Sequence, residues 1–336
     1  MEKADTSGVK GRLLESKAVA PLCALVLGAI AGVVDAHAQT VDVLFFVRRG
    51  EILLSSVWSS TFAVPDLQAG PVQVGLLAGA AKVGRLLGAS ESLALSITVQ
   101  AGVIVLLAFV TGLVLADRRP RTRLTWQLIV IVAALATGMV HRTYVDGHSA
   151  QVVIPLLWIA AGFYARRGRA VSTGLLLGLS AGLETWGMLG LPLIFLSRNR
   201  RDAARALVAQ LALVAVLYLP FVLAGDFRMF EYSWPVVAGS PASLVLSVGS
   251  PFTWWMRVVQ GAAAVGAGTG VALLLRRSAA AAWVVPLVVV VVRLAFEPTV
   301  NDWYLIGLET TALVGAADLF SGRLAALRSS AIRARQ

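Results

Sequence analysis

Cysteine is almost missing from this chain of 336 residues, where Cys23 stands alone. A lone cysteine excludes an internal disulfide framework and any thiolate-based metal site. Histidine is nearly as scarce. His37, His141 and His148 lack the four-residue spacing that sets two imidazoles on one helix face, so the sequence implies no metal and no cofactor. Charge is thin as well, at 14% of residues against 58% hydrophobic, with a mean hydropathy of +0.79. A soluble domain of this size has too little interior to hide so much apolar surface, which leaves the bilayer as solvent. Acids are the rarer sign, 18 against 29 basic residues, for a formal net charge of +11. In a soluble protein that excess would suggest nucleic acid. Its placement here argues otherwise.

The basic residues recur in blocks: the N-terminal tail (Lys3, Lys10, Arg12, Lys17), Arg118/Arg119/Arg121/Arg123, Arg166/Arg167/Arg169, Arg198/Arg200/Arg201/Arg205, Arg276/Arg277 and Arg323/Arg328/Arg333/Arg335. Those blocks hold 21 of the 29, and apolar runs of spanning length separate them. Lys/Arg bias of short loops marks the cytoplasmic side, and such blocks also attract anionic lipid heads. Nucleic-acid binding is therefore not expected. Half of the 18 acids fall in the remaining loops: Asp35, Asp42, Glu51, Asp66, Asp146, Asp226, Glu231, Glu297 and Asp302.

Charge parity then orders the crossings. Residues 1–17 read as a cytoplasmic tail, 18–320 as one all-α transmembrane bundle, and 321–336 as a second basic cytoplasmic tail. The first span is Ala18–Val34; Ala36-His37-Ala38 imitates a signal cleavage site, but the stretch is read as uncleaved. Residues 35–91 form the first outer loop. Within it Gly70–Gly88 contains Lys82 and Arg85, and its crossing would put Arg118–Arg123 outside. Val72, Leu76, Val83 and Leu87 form a stripe suited to a helix lying in the outer interface. Further spans are Ser92–Leu115, Thr125–Val140, Ala150–Tyr164, Ala203–Leu223, Trp254–Leu275, Ala281–Phe296 and Trp303–Phe320. Val171–Ser197 lies between two basic blocks and is too short for two crossings. It reads as a hairpin of short helices with Glu184-Thr185-Trp186-Gly187 near the tip. The expectation is about eight full spans plus that hairpin.

Chemistry is sought on the acid-bearing face. Asp42 follows the first span, where a partly desolvated carboxylate can take a proton from a hydroxyl; capping the next helix is the competing role. Asp35 lies seven residues earlier, and Asp66 sits in the turn-rich Pro65–Pro71. Eight basic residues escape the blocks: Arg48, Arg49, Lys82, Arg85, Arg142, Arg228, Arg257 and Arg293. Guanidinium forks suit phosphate oxygens. Arg293 ends an apolar run, where a charge is usually paired or functional, and Glu297 follows at ion-pair spacing. Glu184 and Glu309 are expensive acids for the same reason. His148 reads as a loop histidine or a base. Trp58, Trp234, Trp254, Trp255 and Trp303 suit sugar stacking or an interfacial belt.

The order of these pieces resembles the GT-C superfamily of membrane glycosyltransferases that use polyprenyl-phosphate sugars. The nearest likeness is to the actinobacterial branch around family 87, which includes mannosyl- and arabinofuranosyltransferases. The resemblance rests on Asp42-Val-Leu-Phe-Phe with Gly50 and Leu53-Leu54; on Pro65-Asp66-Leu67-Gln68-Ala69-Gly70-Pro71; and on Gly147-His148. It continues in Gly174–Gly178 running into Gly182–Gly187, and in Arg293-Leu-Ala-Phe-Glu297-Pro298 before Trp303-Tyr304. It implies Asp42 as the catalytic carboxylate. Arg293, Arg48, Arg49, Lys82 and His148 become the expected phosphate contacts, and Asp35, Asp66, Glu297, Trp303 and Tyr304 the acceptor or sugar contacts. The implied partners are a polyprenyl-phosphate sugar, a glycolipid or cell-wall glycan acceptor, and the bilayer. The implied place is the plasma membrane, with the site on its outer face. The chain departs from the usual pattern in its short length, in Glu297 and in Glu184.

Overall fold

A computed structural model describes residues 6–38, 41–116, 122–276 and 282–333, and the side-chain surroundings of all of these except 6–17, Val41 and 323–333. Arg118, Arg119, Arg121, Arg277, Arg335 and Lys3 lie outside the described residues. Among the described residues the chain is almost entirely helical, as expected.

The first helix, α1 (Thr6–Val34), leads into α2 (Val41–Leu53) and α3 (Pro71–Leu86). Pro71 opens α3 at the first position, where its missing N–H costs nothing. Leu76, Val83 and Leu87 face outward from the protein, while Val74, Leu77, Ala78 and Ala81 pack inward. At 16 residues α3 is not among the helices long enough to cross. The inward set also contains Gln73.

The long helix α4 (Glu91–Leu115) follows, capped by Ser90, whose hydroxyl accepts from the Leu93 N–H at 3.3 Å. Then come α5 (Arg123–Ala136) and α6 (Met139–Val145), bent 53° from one another, and α7 (Ala150–Arg166). The hairpin is present: α8 (Ala170–Leu183), an extended break at Glu184, and a 3-10 helix over Thr185–Leu196. Next is α9 (Arg200–Ala224), capped by Asn199. A loop then carries a two-residue ribbon, Trp234–Pro235 against Pro251–Phe252. The chain ends with α10 (Trp254–Leu275), α11 (Val284–Leu294) and α12 (Ile306–Arg333).

Four stretches are long and apolar enough to cross a membrane: Glu91–Leu115, Arg200–Ala224, Trp254–Leu275 and Asp302–Gly322. The bent α5–α6 pair makes five. The expectation of about eight full spans is not supported. The segments assigned to the other crossings are apolar but short: the described part of α1, Ala18–Val34, with α7 and α11. At ~1.5 Å per residue, the 11 residues of α11 reach only about half of a hydrocarbon layer of ~30 Å. Val208, Val216, Val222 and Leu223 leave α9 apolar on its outside, as a lipid-facing helix requires.

The two largest of the cores among the described residues hold much of the bundle. One joins α4, α5, α7 and α12 through Ile104, Leu107, Ile131, Leu156 and Val314. The other joins α7, the hairpin, α10 and α11 through Trp158, Leu193, Ala264 and Val289. This packing gathers the starts of α2, α7 and α10, the hairpin tip and the end of α11 at one end of the bundle.

Candidate functional site

A cavity of about 750 Å³ opens among those ends. Asp42, Asp66, His148, Glu184, Arg257 and Arg293 supply its charged and titratable groups. Phe45, Trp186, Trp234, Trp254, Trp303 and Tyr304 supply most of its aromatic surface.

Two glycines permit the close approaches that build it. Gly147 has φ +75°, a left-handed conformation that a side chain resists, and an added Cβ would stand 3.1 Å from the Val43 nitrogen and 3.2 Å from Asp42 Cβ. That turn delivers His148 against α2. Gly70 donates its N–H to the Leu183 carbonyl at 2.6 Å, beside an antiparallel bridge between Ala69 and Glu184. A Cβ there would collide with the Gly182 carbonyl oxygen at 2.3 Å. The Pro65–Pro71 segment is thus stitched directly to the hairpin tip.

Asp42 begins the line of polar groups. His148 Nε2 stands 3.4 Å from Asp42 Oδ2, and its Nδ1 stands 3.8 Å from Glu184 Oε1, an ion-pair distance too long for a direct hydrogen bond. Trp303 stacks on the imidazole, 3.7 Å between centroids and 14° from parallel. Burial works against a charged His148, but Asp42 and Glu184 outweigh it and raise the imidazole from 6.5 to about 9. The same contact with His148 holds the Asp42 carboxyl below its usual range, against a smaller opposing effect of burial. His148 is therefore a cation at neutral pH, set between two acids.

Glu184 carries the line onward. Its Oε2 accepts from Trp186 Nε1 at 2.7 Å and from Gln151 Nε2 at 3.3 Å. Gln151 in turn accepts from Arg293 Nη1 at 3.4 Å. Arg293 lies over the rings of Trp186 and Tyr304, 4.4 and 5.3 Å from their centroids, and 3.8 Å from Glu297. Arg257 grips Glu297 with both nitrogens, at 2.9 and 2.8 Å. Burial would push the Glu297 carboxyl up, but Arg257 and Arg293 hold it below the ordinary range. A continuous chain of polar contacts thus runs from Asp42 to Arg257.

The structure sorts the expected residues. Asp42, Asp66, His148, Arg293, Trp303 and Tyr304 line the cavity, and Glu297 backs it. Four others do not reach it. Asp35 is held by His141 at 2.9 Å and by Gln100 at 3.0 Å. Arg49 turns to the Ser60 and Thr61 carbonyls, and Arg48 is exposed on the helix surface. Lys82 lines a separate hollow with Glu51 and Arg85. Helix phase turns Arg48, Arg49 and Lys82 away from the cavity, and Asp35 lies in the turn just past α1. Glu309, the other costly acid, pairs with Arg142.

Arg257 and Gln260 line the cavity, and Gln151 joins its polar chain from behind, three residues outside the expected site. Gln260 donates to the Arg293 carbonyl at 2.7 Å and so fixes α10 to α11 beside the guanidinium pair. Among the described residues, no group of three His, Cys, Asp or Glu side chains has the arrangement to hold a metal ion. Compared with known proteins, the chain matches no family model, no curated protein and no solved structure.

Proposed function

We propose that the chain is an inverting glycosyltransferase. It moves a sugar from a polyprenyl-phosphate donor to an acceptor hydroxyl on the outer face of the plasma membrane, with both termini cytoplasmic. Mannose is the first choice of sugar and arabinofuranose the second; the acceptor is a glycolipid or cell-wall glycan. The observation that carries this reading is the unbroken polar chain from a half-exposed carboxylate, Asp42, to a guanidinium pair, Arg293 and Arg257, within one aromatic-lined cavity.

The chemistry follows from the two ends. Asp42 is ionised and open to the cavity, so it can take the proton of an incoming hydroxyl. The acceptor oxygen then bonds to the anomeric carbon from the face opposite the phosphate, the bond from that carbon to the phosphate oxygen breaks, and the configuration inverts. A phosphate leaving group needs charge stabilisation more than a proton. Arg293 supplies it. Arg257 is committed to Glu297 through both nitrogens, whereas Arg293 makes only the long contacts to Gln151 and Glu297. Trp234 and Trp303 line the cavity, each with a face already covered, by Arg257 and by His148.

The test is transfer itself. Protein reconstituted in vesicles, given radiolabelled polyprenyl-phosphate mannose or arabinofuranose and cell-envelope acceptors, should make labelled glycan, and Asp42→Asn should abolish it with donor binding retained. Movement of the donor across the vesicle wall without transfer would overturn the proposal in favour of a lipid-linked-sugar transporter.

A further inference from the structure

The end of the bundle opposite the cavity carries a second hollow, lined by Arg166, Leu196, Ser197, Arg198 and Arg276. Its position follows from α10, which starts at the cavity with Trp254 and reaches Leu275, next to Arg276, 22 residues later. At ~1.5 Å per residue that is ~33 Å, about the thickness of a bilayer's hydrocarbon layer.

The three arginines are tied into a ring by backbone. Arg198 Nε donates to the Arg166 carbonyl at 3.0 Å, Arg166 to the Leu275 carbonyl at 3.2 Å, and Arg276 to the Arg198 carbonyl at 3.5 Å. These bonds suit helix C-termini, where carbonyls lack partners. For Arg198 and Arg276 they use a fraction of the donors, since a guanidinium has five. Among the described residues neither Arg198 nor Arg276 has a carboxylate at ion-pair distance; the nearby Asp202 is bonded to Asn199 at 2.9 Å and lies 4.0 Å from Arg205. A second, independent feature points to a ligand. Ser197 is 1% exposed, lines the same hollow, and among the described residues its hydroxyl has no hydrogen-bond partner. Arg198, Arg276 and the buried Ser197 hydroxyl form an anion-binding set.

We propose that this hollow binds a phosphate group, presented by the headgroup of an anionic phospholipid or as free phosphate. Guanidiniums held rigidly by backbone carbonyls present donors at fixed angles, which suits phosphate oxygens rather than a diffuse charged surface.

The purified chain in detergent should be titrated with dioctanoyl phosphatidylglycerol, dioctanoyl phosphatidylcholine and inorganic phosphate, reading binding by native mass spectrometry and melting temperature. Phosphatidylglycerol or phosphate should bind saturably and raise the melting temperature. Arg198→Gln/Arg276→Gln should weaken that binding about tenfold or more, the scale of one lost charge-assisted contact or more. Arg200→Gln/Arg201→Gln removes the same charge next to the hollow and should leave binding unchanged. Lipid binding without phosphate binding identifies the headgroup as the source, and equal phosphate binding identifies the free ion. The proposal is overturned if the Arg200/Arg201 variant weakens binding as much as the Arg198/Arg276 variant, or if neither does. Should the double variant not purify, Ser197→Ala alone must weaken binding, and unchanged affinity there also overturns it.

Discussion

Arg257 and Glu297 form a two-pronged pair across forty residues of sequence, although Arg293 stands one helical turn before Glu297. The pair is nearly dry: the Glu297 side chain is 3% exposed and that of Arg257 12%. It fixes the start of α10 to the segment after α11. It also occupies the acid that would otherwise neutralise Arg293, leaving that guanidinium oriented by aromatic rings and an amide.

Breaking this pair from one side should therefore cost more than removing it whole. Arg257→Met leaves the buried Glu297 carboxylate only its long contacts to Arg293 and Gln260, and breaking a buried pair from one side typically costs about 3–5 kcal/mol. Arg257→Met with Glu297→Leu removes both charges and should recover much of that loss. Denaturation in detergent of the two single variants and the double variant measures the coupling. Strictly additive losses would mean that the two residues do not support one another.

Much of this arrangement was legible in the sequence, and the failures share a cause. The hairpin was readable because two arginine blocks stand too close for two crossings, and its break falls at Glu184. Charge parity leads one to expect Asp42, His148, Arg293, Trp303 and Tyr304 on one side, and the fold brings them to one cavity. An expected side does not fix direction. Arg49 and Lys82 carry the same expectation but face away from the cavity because of their phase on α2 and α3. Spacing favoured Arg293 as the partner of Glu297, since local pairs are visible in sequence. Arg257 wins it only after α10 packs on α11. The span count failed because charge parity counts crossings and is blind to length, and α11 is 11 residues long.

The His148 imidazole should give the protein a stability that fades in alkali. Its proton is held to about 9 when folded against 6.5 when free. A raised value contributes fully below the unfolded one and is lost as pH rises through the folded one. Melting temperature should thus fall between about pH 7 and pH 10 by an amount that His148→Gln removes. If sugar transfer occurs, its alkaline limb should lie near the same pH and be missing in that variant. A His148→Gln protein with an unchanged alkaline melting profile would place the titration elsewhere.

Sidedness has its own test. In a Cys23→Ser background, cysteine at Ser60 or at Ser247, both exposed near the cavity end, should react with an impermeant maleimide on intact cells. Cysteine at Arg200, exposed at the start of α9 on the opposite end, should react only after permeabilisation. Labelling of Ser60 and Arg200 from the same side would contradict a bundle whose two ends face different compartments.

Arg293→Lys probes the phosphate contact most directly. The guanidinium plane lies over Trp186 and Tyr304, reaches Gln151 with one nitrogen and stands within ion-pair distance of Glu297. Lysine keeps the charge, so the weak attraction to Glu297 survives and the change in melting temperature should be small. A compact ammonium cannot stack on an aromatic ring as a planar guanidinium does, nor present two parallel donors to one phosphate. Loss of a bidentate, charge-assisted contact in a desolvated pocket should weaken binding of the polyprenyl-phosphate donor about tenfold or more. Binding of a sugar-free polyprenyl phosphate should weaken in parallel, because the lost contact is to the phosphate and not to the sugar. Donor affinity equal to that of the unaltered protein would leave Arg293 as a packing residue and move the phosphate to another part of the cavity.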